Sequence, residues 1–174
     1  MKECSPNNGD ELPSDAPSIA MKDLWRISNH ITLSGEGGLR YKARWHSAGT
    51  PIVYLAETPS GALLEVLVHL ELDEGDLPNS YNLMRVGVPP EIEIAVLTIP
   101  AVPASVTWKI DETITREIGD AWLRSGKTAL AAVPSAIMPS TTNYLLNPRH
   151  PKAASVQILE IIPAAFDPRL LRRR

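Results

Sequence analysis

The sequence has almost no cysteine, few aromatic residues and no long apolar run. Cys4 is the only cysteine among 174 residues, so no disulfide can form within the chain, which is typical of a reducing compartment. No apolar stretch approaches the roughly 20 residues needed to cross a bilayer, and the N-terminus lacks the apolar core of a signal peptide. The sequence therefore predicts a soluble, cytoplasmic protein that does not enter a membrane.

A strong excess of charge is also missing. The net charge is −3, which argues against direct, non-specific binding of nucleic acid. With 44% hydrophobic and 21% charged residues, the chain has the composition of an ordinary globular protein and the length of one domain. Residues 1–20 are rich in Pro, Ser, Asn and Asp, so we expect a disordered or loosely packed extension followed by one domain over residues 21–174.

The order of predicted elements indicates an α+β protein. Two helices are expected at 58–72, capped by Thr58 or Ser60, and at 111–126, ended by Gly126. The second helix is predicted to bury Ile114, Ile118, Ala121 and Trp122. Short strands are expected at 21–28, 51–56, 77–88, 91–100, 128–138, 143–148 and 156–167. This order differs from the regular alternation of strand and helix in a doubly wound fold.

Several common catalytic and ligand-binding motifs are absent or incomplete. The run "AWLRSGKT" ends like a phosphate loop, but position 121 is Ala where that motif needs Gly, and a helix rather than a strand precedes it. The four histidines show no metal-ligand spacing, so no metal site is expected. No GxSxG sequence marks a hydrolase nucleophile.

Three features remain as candidates for chemistry. Glu65 interrupts the apolar run "GALLEVLVHL" and is either solvated or held in a cleft, because burying an unpaired carboxylate is costly. Arg26 lies in an apolar strand, and Arg44 precedes Trp45; each is expected to meet a carboxylate or a phosphate. Residues 133–148 contain no charged side chain but several hydroxyl and amide groups, typical of either a neutral pocket wall or a Pro-punctuated loop.

Three segments together carry a family resemblance. They are "LWRIS", "RWHSAGTPIVYLAETPSGALLEVLVHL" and "VPSAIMPSTTNYLLNPRHP", and the likeness extends from about residue 23 to residue 170. In this order they resemble the RES-domain toxins, a family named after an Arg, a Glu and a Ser. Arg26, Glu65 and Ser135 occupy those contexts. The chain departs from the pattern at His46, where Asn is expected.

The resemblance implies a fold like that of the ADP-ribosyltransferases, with small β-sheets around an NAD+-binding cleft and flanking helices. It implies that NAD+ is a substrate, with no cofactor or metal, and that the bond between nicotinamide and ribose is cleaved. Glu65, Arg26 and Tyr54 would be catalytic, Glu65 as the carboxylate that stabilises an oxocarbenium-like ribose. NAD+ would be bound by Arg26, Arg44, Tyr54, Ser135 and Asn143.

The resemblance also implies an antitoxin partner of the Xre helix-turn-helix type, which would carry any DNA binding of the complex. The main expectation is destruction of NAD+ by hydrolysis or phosphorolysis, which arrests bacterial growth. One alternative is transfer of ADP-ribose to a cellular protein, and another is a non-catalytic binding module of the same fold. The sequence does not separate the acceptors, because all of them share the donor site.

Overall fold

Seven strands and three α-helices form the part of the chain that the structure, a computed structural model, describes: residues 21–69, 80–100 and 108–171. The predicted extension 1–20 lies outside these ranges. The strands are β1 (Lys22–Ile27), β2 (Val53–Ala56), β3 (Tyr81–Val88), β4 (Ile94–Val96), β5 (Leu130–Pro134), β6 (Thr142–Leu146) and β7 (Gln157–Ala164). The helices are α1 (Gly37–Arg40), α2 (Pro59–His69) and α3 (Thr113–Ser125), with 3-10 turns at Pro151–Ser155 and Pro168–Leu171. None of the helices within the described ranges has the length and apolarity to cross a bilayer.

The strands are ordered β4-β5-β6-β2-β1-β3-β7, and all neighbours are antiparallel except β4 and β5. β1 and β2 are joined by a single residue pair, Trp25 with Ala56. The sheet therefore divides into a four-stranded half and a three-stranded half that separate beyond this pair. The predicted α+β class is confirmed, but the strands form one seven-stranded sheet in place of the separate small sheets that the resemblance implied.

Two apolar clusters cover the two faces of the sheet. Alternation along β2 assigns Val53 and Leu55 to one cluster, while Tyr54 packs against the other. The first cluster includes Leu24, Met84 and other residues of the central strands. In the second, Trp45 and α3 residues pack on β5 and β6. The side of the sheet that carries Tyr54 is therefore the side that α3 covers.

Helix α2 begins where the sequence predicts. The hydroxyl of Thr58 accepts a hydrogen bond of 3.0 Å from the amide of Gly61, and Pro59 is the first helical residue. The helix packs against β1 and β2, the two strands that separate. Glu65 is consequently held next to the gap between the two halves of the sheet.

The inner face of α3 agrees with the prediction in part, since Trp122 is buried and Ile118 packs against the second cluster. The buried residues are Thr115, Gly119, Trp122 and Leu123, whereas Ala121 is exposed and Ile114 and Ile118 are only half-buried. Gly119 and Thr115 are the residues of α3 that lie against the backbone of the loop that contains Trp45. The hydroxyl of Thr115 donates to the carbonyl of Arg44 at 2.9 Å. The predicted stop is confirmed: Gly126 adopts a left-handed conformation, with φ of 56°.

Candidate active site

A cavity of about 390 Å³ lies where β1 and β2 separate. Its walls are mostly apolar and include Trp25, Leu55 and Val133. Five polar side chains interrupt these walls: Arg26, Arg44, Tyr54, Glu65 and Asn143. The structure thus brings together residues from three strands, a loop and a helix, and these are the residues that the sequence selected, with Ser135 just behind the wall.

The carboxylate of Glu65 is held at one oxygen. Its Oε1 accepts a hydrogen bond of 2.6 Å from Nδ2 of Asn143 and another of 3.0 Å from Oγ of Ser135. Oε2 makes no hydrogen bond with any residue that the structure describes. Glu65 is half-buried and lines the cavity, so its side chain faces the cleft and retains one oxygen for a ligand.

Ser135 donates its hydroxyl proton to Glu65. Its Oγ also accepts from the backbone amides of Ile137 and Met138, at 3.2 and 3.1 Å. These two donors occupy the lone pairs of the hydroxyl, so its proton points to the carboxylate. Ser135 is buried and is not part of the cavity wall, so its position fits a support for Glu65 better than direct contact with a ligand.

Strand register explains how Asn143 reaches Glu65. Asn143 pairs with Ala56 on β2 and with Val133 on β5. Because residues directly opposite each other share a face, the small side chain of Ala56 leaves space beside Asn143 for a residue from α2. The other amide atom, Oδ1, is buried and has no hydrogen-bond partner among the described residues. Asn143 therefore carries a free acceptor that a bound molecule can satisfy.

Arg26 has no carboxylate partner within the described part of the chain. One terminal nitrogen donates to the carbonyl of Tyr54 at 3.3 Å, and Nε is buried without any partner there. Burial lowers the pKa of Arg26, but a guanidinium remains charged at neutral pH. Of the two readings that the sequence left open, the structural ion pair is absent from this region, and the charge is available to an anion.

The hydroxyl of Tyr54 has two neighbours. It accepts a hydrogen bond of 3.2 Å from the amide of Trp45 and lies 2.9 Å from Nδ1 of His46. Burial raises the pKa of Tyr54, so the phenol stays protonated at neutral pH. The ring forms part of the cavity wall, with its orientation set from the hydroxyl end.

Arg44 differs from Arg26 because its guanidinium already has partners. Its two terminal nitrogens donate to the carbonyls of Trp108 and Lys109, at 2.9 and 3.0 Å, and one lies 3.5 Å from Glu112. The side chain therefore ties the loop before Trp45 to the segment before α3. Its predicted contact with NAD+ stays a prediction. In that contact the guanidinium of Arg44 would have to bind NAD+ as well as the carbonyls of Trp108 and Lys109.

Sequence reasoning missed His46 as part of the site. The residue was noted only as a departure from the expected Asn, yet it is 2% exposed and contacts Tyr54. The sequence offered one signal: His46 is titratable, whereas the Asn expected at this position is neutral. No group of three or more His, Cys, Asp or Glu side chains suited to a metal ion occurs among the residues described here.

Comparison with known proteins identifies the family. Residues 23–167 match the RES domain. The chain belongs to the RES domain family. Over 135 residues it is 51% identical to "Toxin Res" of Pseudomonas putida, covering 78% of this chain and 90% of that protein. It is 33% identical over 158 residues to "Prs ADP-ribosylating toxin" of a Sphingobium species, covering 86% and 97% respectively.

A solved structure shows the same fold. A chain from the crystal structure of the M. tuberculosis MbcT-MbcA toxin-antitoxin complex superposes with a TM-score of 0.68. The superposition covers 84% of this RES domain chain and 85% of that one, at 18% sequence identity. The identification as a RES-domain toxin, made from three sequence segments, is confirmed by the family match and by these relatives.

Proposed function

We propose that this RES-domain toxin consumes NAD+ by cleaving the bond between nicotinamide and ribose, with water or inorganic phosphate as acceptor. The observation that carries the proposal is the carboxylate of Glu65. It is fixed at Oε1 by Asn143 and Ser135, keeps Oε2 without a hydrogen bond to the described residues, and shares the cavity wall with Arg26, which has no carboxylate partner there. A fixed anion beside an uncompensated cation suits a substrate that develops positive charge at one end and carries phosphates at the other.

The chemistry needs one carboxylate. As the glycosidic bond breaks, nicotinamide leaves as a neutral molecule with the bonding electron pair, so no general acid has to protonate it. Positive charge then builds up on the ribose, where an ionised Glu65 stabilises it. When water is the acceptor, its oxygen forms the new bond to the anomeric carbon and a proton is released to solvent; when phosphate is the acceptor, an anionic oxygen forms that bond and no proton has to leave.

The neighbouring side chains serve binding and orientation. Arg26 donates to phosphate oxygens, for which its buried and unpartnered Nε is suited. The ring of Tyr54 lies against the nicotinamide. The free Oδ1 of Asn143 accepts from a hydroxyl or amide group of the substrate, while the Nδ2 of the same amide holds Glu65. Ser135 supports Glu65 from behind, and Arg44 is a secondary contact.

Transfer of ADP-ribose to a protein is the second candidate. The relative from Sphingobium is named an ADP-ribosylating toxin, and the match covers 97% of its length. The donor half of the reaction uses the same residues, and only the nucleophile differs. This alternative therefore changes the product and leaves the roles of Glu65 and Arg26 unchanged.

The proposal includes an antitoxin of the Xre helix-turn-helix type that covers the cavity. The structural relative comes from a toxin-antitoxin complex, which supports an antitoxin partner. A cover over the cavity would keep NAD+ away from Glu65 until the antitoxin is removed. Binding of DNA would belong to the antitoxin, since the toxin chain is mildly acidic.

The deciding experiment follows NAD+ loss with purified antitoxin-free protein, with and without added phosphate, and identifies the products. Free ADP-ribose indicates hydrolysis, and a phosphorylated ADP-ribose formed only with phosphate indicates phosphorolysis. Labelled NAD+ in a bacterial lysate tests the alternative, because protein-bound label indicates transfer to a protein. A folded, toxic protein that neither consumes NAD+ nor labels a protein would overturn the proposal.

A further inference from the structure

The hydroxyl end of Tyr54 lies against a buried histidine. Nδ1 of His46 is 2.9 Å from the hydroxyl oxygen, and the two rings are tilted by 52° with their centroids 5.7 Å apart. The ring of Tyr54 lines the cavity that contains Glu65, whereas His46 is not part of that wall. Any contact of His46 with a molecule in this cavity is therefore indirect, by way of Tyr54.

Backbone contacts fix the place from which the imidazole reaches Tyr54. His46 and Ala43 exchange two backbone hydrogen bonds, of 3.0 and 3.3 Å, in a tight turn. The next residue, Ser47, donates from its amide and its hydroxyl to the carboxylate of Asp120 on α3, at 2.8 and 2.6 Å. The backbone that carries His46 is thus anchored both within its own loop and to a helix.

The direction of the bond between the two side chains follows from the other neighbours of the hydroxyl. It already accepts a hydrogen bond from the amide of Trp45, at 3.2 Å. Among the described residues, Nδ1 of His46 is the only acceptor within hydrogen-bond distance of its proton. The phenol therefore donates to Nδ1, and a neutral imidazole that accepts at Nδ1 carries its own proton on Nε2.

The other side of the imidazole agrees with this tautomer. Nε2 lies next to Gly38, where an added Cβ would come within 3.0 Å of it. The carbonyls of Tyr41 and Gly38 raise the pKa of His46, as acceptors near a ring N–H do, while burial lowers that pKa by more and keeps the ring neutral at neutral pH. Nε2 makes no hydrogen bond with the described residues, so in this part of the chain the bond to Tyr54 alone orients the imidazole.

We propose that His46 is a positioning residue for Tyr54: its neutral imidazole accepts the phenol proton at Nδ1 and so fixes the angle of the Tyr54 ring in the cavity. The inference rests on the proposed NAD+ chemistry, in which this ring lies against the nicotinamide. With two hydrogen bonds the hydroxyl has a defined direction, whereas with the Trp45 bond alone the ring can swing about one contact. A ring held at one angle keeps nicotinamide oriented for cleavage of its bond to ribose.

A double-mutant cycle tests whether His46 and Tyr54 work as a pair. His46→Leu removes the acceptor with a side chain of similar volume, Tyr54→Phe removes the hydroxyl, and the third variant carries both changes. His46→Asn is the matched variant, because the amide oxygen of Asn can accept where Nδ1 does. The rate of NAD+ loss gives kcat and KM for each protein, and thermal unfolding checks that each is folded.

We expect His46→Leu and Tyr54→Phe each to lower kcat about five- to tenfold, the effect of one lost hydrogen bond, with a smaller change in KM. The double variant should be no slower than the slower single variant, and His46→Asn should recover most of the lost kcat. The inference is overturned if the two losses multiply, if His46→Leu keeps the parent kcat, or if His46→Asn is as slow as His46→Leu.

Nitrogen NMR tests the same bond without turnover. In protein labelled with 15N-histidine at neutral pH, the imidazole signals that are absent from His46→Asn belong to His46. We expect them to show a proton on Nε2 and an accepting Nδ1 whose signal shifts in Tyr54→Phe. A proton on Nδ1, or an unchanged signal in Tyr54→Phe, contradicts the inference. Absence of NAD+ loss in the parent protein contradicts the proposed function instead, and the NMR measurement still decides the bond between His46 and Tyr54.

Discussion

The side-chain amide of Asn143 donates a 2.6 Å hydrogen bond to Oε1 of Glu65, a residue 78 positions away in the sequence. This bond connects β6 to α2, the helix that packs against β1 and β2. Together with Ser135, it lets an apolar helix carry a half-buried carboxylate, because the charge is held by two neutral donors. It also turns the carboxylate so that one oxygen remains for a ligand.

Replacing Glu65 by Gln should abolish NAD+ consumption while the protein stays folded. The variant keeps the shape of the side chain but removes the charge that stabilises the ribose, so we expect a loss of roughly 100-fold or more. The measurement is the rate of NAD+ loss at saturating substrate. Glu57→Gln is the control, since Glu57 is exposed just before the same helix and outside the cavity. A fully active Glu65→Gln protein would show that the carboxylate is not catalytic.

Replacing Asn143 by Ala should lower the rate of NAD+ loss by roughly 10- to 100-fold, the effect of one lost hydrogen bond to a charged group. The carboxylate loses the donor that orients it, and the substrate loses the acceptor Oδ1. Steady-state kinetics separate these effects, because loss of orientation lowers kcat and loss of a substrate contact raises KM. Asn29→Ala, at an exposed position, should change neither. Unchanged kinetics in Asn143→Ala would remove Asn143 from the site.

Gly119→Ala should destabilise the protein, although Ala is the better helix former by up to about 1 kcal/mol. A Cβ at position 119 would collide with the carbonyl group of Trp45, so α3 would have to move away from the loop. We expect a decrease of about 1–3 kcal/mol in the free energy of unfolding, measured with urea. In Gly37→Ala the added Cβ meets nothing, so its stability should match the parent. Equal stability of both variants would contradict the observed packing of α3.

Stability should fall on acidification because of His46. Burial lowers the pKa of His46 below its usual value of 6.5, more than the Tyr41 and Gly38 carbonyls and Asp120 raise it. Between the lowered pKa and 6.5 the unfolded chain binds more protons than the folded one, so the free energy of unfolding decreases as the pH falls through this window. Urea unfolding from pH 7.5 to 5 should show a shallower decrease for His46→Asn. Parallel pH curves for the two proteins would exclude His46 as the cause.

Much of the fold could be predicted because its signals are local. Alternation indicated β1, a compact apolar run indicated β2, Thr58 and Pro59 indicated the start of α2, and Gly126 indicated the end of α3. The inner face of α3 was predicted in part: Trp122 is buried as expected, but Ala121 is exposed, and Thr115 and Gly119 lie against the loop that contains Trp45. Apolar periodicity cannot anticipate a polar packing partner.

The sequence by itself determined the family, the α+β class and the identity of the candidate site residues, through three segments and a set of short strands. Tertiary structure decided which of these side chains already have hydrogen-bond partners among the described residues. Arg26 and Arg44 look alike in sequence, yet Arg44 is tied to the carbonyls of Trp108 and Lys109, while Arg26 lines the cavity and its Nε has no partner among the described residues. The physical reason is that hydrogen-bond partners are set by strand register and loop path, which join residues 60 to 80 positions apart.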